Sequence, residues 1–143
     1  MRPFGRFLDS LARVKIKNAL ADILLAACAA FDPDELAESI EEGWSAVEGL
    51  MSLPPDKLGR LMMSIGSVRE NMRYLRSVSP EEAGKWWEKA LREISPRDII
   101  KRISSHSPDY GAVLAEHEDW VRQEIDRAKE LPKLLHYIPE QAG

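Results

Sequence analysis

The sequence predicts an all-α protein, a single irregular bundle of five or six helices, on three observations. Five segments set proline at a helix start: Asp32-Pro33-Asp34-Glu35, Pro54-Pro55-Asp56-Lys57, Ser79-Pro80-Glu81-Glu82, Ser95-Pro96-Arg97-Asp98 and Ser107-Pro108-Asp109-Tyr110. Proline is tolerated in the first turn because its missing N–H had no intrahelical partner there, and acids in that turn complement the helix dipole. Between these starts the apolar residues recur in steps of three and four, the spacing of a buried helical stripe. No stretch of strand length alternates apolar with polar residues. With 143 residues, 44% hydrophobic and 31% charged, the chain suits one core rather than disorder. One domain over 1–143 is expected, with residues 1–15 a separable amphipathic helix and 132–143 a tail that folds back or enters a partner's groove.

In the first segment Phe4, Phe7, Leu8, Leu11 and Val14 share one face, whereas Ile16, Leu20, Ile23, Leu24, Ala27 and Phe31 cluster nearly opposite. Either the chain bends near residues 14–17, or one helix is covered on both sides. The first three turns then pack within their own domain, on another subunit, or on an anionic membrane surface through residues 2–17.

A second helix follows Asp32, with Leu36, Ile40, Trp44, Val47 and Leu50 or Met51 inward. A third follows Pro54, with Leu58, Leu61, Met62, Ile65, Met72 and Leu75 inward and Val68 between them. The short link Ser52-Leu53-Pro54-Pro55 predicts an antiparallel hairpin over about 33–77. Its acidic arm (Asp34, Glu35, Glu38, Glu41, Glu42, Glu48) would face its basic arm. Arg69, Arg73 and Arg76 form a basic stripe suited to that pairing or to a phosphate-bearing partner.

The fourth helix, after Ser79, has the adjacent pair Trp86 and Trp87. Neighbouring helical residues point about 100° apart, so Trp87 belongs to the core and Trp86 to its rim or to a contact surface. Ser79 and Glu82 have the spacing of a capping box. A short fifth helix turns Ile99, Ile100 and Ile103 inward and Arg97, Lys101 and Arg102 outward. The last helix carries Tyr110, Val113, Leu114, His117, Trp120, Val121, Ile125, Ala128 and Leu131. His117 and Glu124 fall within that seam, where polar groups need partners or water; the simplest account is a satisfied core histidine with Glu124 reaching the rim.

Several functions find little support. The net charge of −4 includes five basic residues and one acid before Asn18, so the remainder is acidic. Neither that body nor an acid-rich helix after Ser107 suits nucleic acid. Cys28 stands alone, which excludes an intrachain disulfide and fits a reducing cytoplasm. Asp22 breaks the apolar run before Cys28 too early for a secretory segment, and no run reaches the ~20 residues of a membrane span. Phosphate-loop, Cys-x-x-Cys and Gly-x-Ser-x-Gly patterns are absent, so no catalytic residue, cofactor or metal is assigned. The expectation is a non-enzymatic, cytoplasmic interaction module that self-associates or binds a protein. Its candidate contacts are Trp86, the first stripe (Phe4, Phe7, Leu8, Leu11) and the carboxyl-terminal seam (Tyr110, His117, Trp120, Glu124). The alternatives are a peripheral membrane or apolar-ligand-binding protein, and a metal-binding or enzymatic bundle centred on His117 and Glu124.

Overall fold

Each proline start opens a helix. A computed structural model describes residues 3–132, with the side chains of 3–12, 74 and 75 outside the description. Its helices are α1 (Pro3–Cys28), α2 (Pro33–Glu41), α3 (Ala46–Met51), α4 (Pro55–Met63), α5 (Gly66–Arg76), α6 (Pro80–Glu93), α7 (Pro96–His106), α8 (Pro108–Ala115) and α9 (Glu118–Arg127), followed by a 3-10 turn, Ala128–Glu130. The class is all-α. Full capping boxes form at Asp32 with Glu35 and at Ser95 with Asp98, whereas at Ser79 the hydroxyl half forms, accepting from the Glu82 N–H at 3.2 Å.

Three of the expected helices are divided, which raises the number to nine α-helices among the described residues. The second breaks at Gly43, whose φ of +93° suits only glycine comfortably. Ser45 then caps α3 by accepting from the Glu48 N–H. The third breaks at Ser64 and Ile65, with Ile65 half-buried across the joint. The last breaks at Glu116 and His117, and His117 is the residue that precedes α9. An apolar stripe persists through each break, because the chain turns and resumes with the same side inward. Leu50 is buried at the end of α3, and Met51 is exposed.

The 33–77 arms have their principal neighbours elsewhere than in each other: α2 packs on α8, α3 on α1 and α9, and α5 on α1, α4 and α6. Opposite charge on exposed flanks is too weak to outweigh apolar burial on those other surfaces.

The organising element is α1, one unbroken helix of 26 residues. It packs against α3, α5, α6 and α7, and Ile16, Ala19, Leu20, Ala21, Ile23, Leu24 and Cys28 are fully enclosed. α1 runs unbroken through residues 14–17, and the enclosed residues spread over more than one narrow stripe of its second half. Asp22, nearly opposite Leu20 on the helical wheel, contacts α5 and α7. The stripe Phe4, Phe7, Leu8, Leu11 shares that direction by register, but its side chains lie outside the described residues. Val14, its last member, is 45% exposed.

A second regularity appears in the pairing of elements. The first three helices pack in order on the last three, α1 on α7, α2 on α8 and α3 on α9, with α4–α6 between the two trios along the chain.

Candidate functional site

The carboxyl-terminal seam forms a polar focus where α9 meets α3. Glu124 is fully buried, which corrects the expectation that it reaches the rim. A buried carboxylate must be paired and hydrogen-bonded, and this one is. Ser45 donates its hydroxyl, with Oγ 3.0 Å from each carboxylate oxygen; the Val47 N–H donates at 2.9 Å; and Arg127 Nη1 lies at 2.6 Å. Val47 N–H is one of the α3 donors that no helical carbonyl can reach. A side chain of α9 therefore completes the start of α3, and Glu48 approaches Arg127 at 4.0 Å from outside. Burial first, and the Glu124 charge second, push the nearby Cys28 thiol up to about 12.

Beside this lies an aromatic group built from both trios. The Trp44 and Trp120 rings stack with centroids 5.8 Å apart at 16°, and Phe31 meets Trp44 edge-on at 4.9 Å and 81°. Their polar handles are engaged by the backbone: Trp120 Nε1 donates to the Trp44 carbonyl at 2.8 Å and the Tyr110 hydroxyl to the Phe31 carbonyl at 2.6 Å. His117 Nδ1 lies 2.7 Å from the Val113 carbonyl, which only accepts, so Nδ1 carries the proton. Nε2 is left 3.7 Å from Glu41 of α2. His117 and Glu124 do not share one seam: the first joins α8 to α2, the second joins α9 to α3.

The tryptophan pair separates as expected. Trp87 is wholly enclosed and donates its Nε1–H to the Ala128 carbonyl at 2.8 Å, while Trp86 is half-buried against the core. Sequence reasoning did not single out Trp44 or Phe31 as members of a group with Trp120 and Tyr110.

A second polar focus was also missed. Asp22 of α1 receives Arg102 of α7 at two points, Nε to Oδ1 at 2.9 Å and Nη2 to Oδ2 at 3.0 Å, and the Ser67 hydroxyl of α5 at 2.6 Å. Arg102 thus turns inward, contrary to its expected outward position, because a bidentate pair with a half-buried carboxylate outweighs solvation of an isolated guanidinium. Burial alone would raise the Asp22 pKa. The hydrogen bonds from Arg102 and Ser67 and the Arg102 charge override it and hold Asp22 below the ordinary aspartate value. Arg102 is raised in turn, chiefly by its bond to Asp22. Asn71, 1% exposed, donates Nδ2 to the carbonyls of Lys15 at 2.8 Å and Ser67 at 3.0 Å, leaving Oδ1 buried without a partner.

Of the basic stripe, Arg69 donates to the Met63 carbonyl at 3.3 Å, Arg73 is exposed and Arg76 half-buried. One surface cleft of about 290 Å³ lies among Glu88, Leu91, Arg92, Asp126 and Lys129. Among the described residues no group of three or more His, Cys, Asp or Glu side chains is arranged to hold a metal ion, and no helix is long and apolar enough to cross a membrane. In comparisons with protein-family models, curated proteins and solved structures, nothing matches this chain.

Proposed function

We propose that this chain is a non-enzymatic helical interaction module that works in the cytoplasm through contact with a protein partner or a second copy of itself. The carrying observation is Trp86, a large ring left half-buried on α6 beside the enclosed Trp87. Tryptophan, with tyrosine and arginine, is enriched among the residues that dominate binding surfaces. The lone Cys28, buried in α1, suits a reducing compartment.

The test is solution mass across a dilution series, for the parent chain and for Trp86→Ala and Phe7→Ser. A concentration-dependent mass that either variant shifts towards monomer supports the proposal. A monomer at every concentration, together with partner capture indifferent to both changes, removes its basis.

A second reading has one observation in its favour. α1 continues without interruption from Pro3, so the apolar stripe and the basic residues Arg6, Arg13, Lys15 and Lys17 keep helical register, and Val14 is exposed. An anionic membrane surface would suit that combination. Vesicle flotation tests it, since binding should need acidic lipid and weaken with salt.

A further inference from the structure

We infer that α5 is a releasable strap on α1, opening locally while the two trios stay paired. The seam between α1 and α5 holds a polar side chain at full depth. Asn71 lies within it 1% exposed, and its Oδ1 has no hydrogen-bond partner. A buried acceptor without a partner costs the closed state its desolvation, and water restores that loss on opening. Of the two carbonyls that Asn71 Nδ2 reaches, that of Ser67 belongs to α5 and moves with the amide, while that of Lys15 belongs to α1, whose ladder already uses it, so it loses little when the amide leaves.

The charge in the seam is arranged so that release does not strand it. Asp22 takes one bond from Ser67 of α5 but two from Arg102 of α7. When α5 lifts, one hydroxyl contact breaks and the ion pair remains between α1 and α7. Opposing release are the buried Val68 and Met72 on α5 and the packing of α5 on α4 and α6. Opening uncovers the side of α1 beneath them, with the α1–α7, α2–α8 and α3–α9 pairings intact.

Native-state hydrogen exchange on the full chain in low urea tests the inference. Amides of residues 70–73 should exchange faster than those of 100–103 in α7, with a smaller urea dependence, because lifting α5 exposes only part of the surface that global unfolding does. Asn71→Leu removes the orphan acceptor and adds apolar burial, so it should slow exchange in α5 on the order of tenfold. Equal rates and equal urea dependence in α5 and α7 of the parent chain would overturn the strap, as would faster α5 exchange in Asn71→Leu. The parent measurement stands whether or not the variant folds.

Discussion

Glu124 Oε1 lies 2.9 Å from the amide nitrogen of Val47, so a residue near the end of the chain supplies the cap that a six-residue helix, α3, lacks from its own sequence beyond Ser45. Replacing Glu124 with Ala leaves the Val47 N–H and the Ser45 hydroxyl buried without that carboxylate, while the part-exposed Arg127 can turn to water or Glu48, and should cost about 2–3 kcal/mol in urea unfolding. Glu124→Gln keeps an acceptor for Val47 and should cost about half as much. Equal losses for the two variants would mean that charge, rather than the cap, is what matters.

Stability should fall on acidification through Asp22. Its folded pKa is depressed from 3.8, so the ionised carboxylate stabilises the fold above the unfolded-state value. That contribution is lost as pH drops below about 4 and through the lower folded value. Asp32, depressed chiefly by the Glu35 backbone N–H, acts in the same direction. Thermal unfolding followed from neutral pH into this range should show a shallower decline for Asp22→Asn than for the parent chain. An identical pH slope would place the proton uptake elsewhere.

Gly111 sits where α8 crosses α7. A methyl group built there would lie 2.7 Å from the Ser104 Cα and closer still to Ser104 Oγ. Gly111→Ala would gain roughly 1 kcal/mol of helix propensity but must push two backbones apart, and should be net destabilising by about 1–3 kcal/mol. Removing the serine side chain leaves the backbone of residue 104 still crowding the new methyl, so Ser104→Gly should rescue only part of the loss in the double variant.

Cys28 should be inert in the folded protein. With its thiol pushed from 9.0 to about 12, the thiolate fraction at neutral pH falls about a thousandfold, before burial blocks access as well. Alkylation monitored by mass should be complete in urea and track the unfolding rate in buffer. Rapid labelling of the native chain would mean that this side of α1 is open.

The helix starts were legible because Pro and its capping neighbours act within four residues, and the stripes were legible because burial repeats with the helical turn. The breaks were harder. Gly43 followed by Ser45 is a local stop-and-restart signal, yet Leu36, Ile40, Trp44 and Val47 keep the spacing of one uninterrupted helix across it. At His117 the same masking occurs with no glycine to mark the joint. The second polar focus had no local signature at all: Asp22, Ser67, Asn71 and Arg102 are ordinary surface-type residues in sequence, and only the placement of α5 and α7 around α1 encloses them. Glu124 was recognised as unusual for its position, but its partners Ser45 and Val47 lie nearly eighty residues away, beyond the reach of any spacing rule.

The pairing of the trios sets a schedule for synthesis. Its ties join Trp44 to Trp120, 76 positions later, and Asp22 to Arg102, 80 positions later. At translation speeds of about 5–20 residues per second, the axial helix leaves the ribosome roughly several seconds before the segments that sheathe it. A newborn chain of this protein therefore passes that interval with the sides of α1 and α3 that meet α7 and α9 still bare, and its core closes only when the last helices emerge.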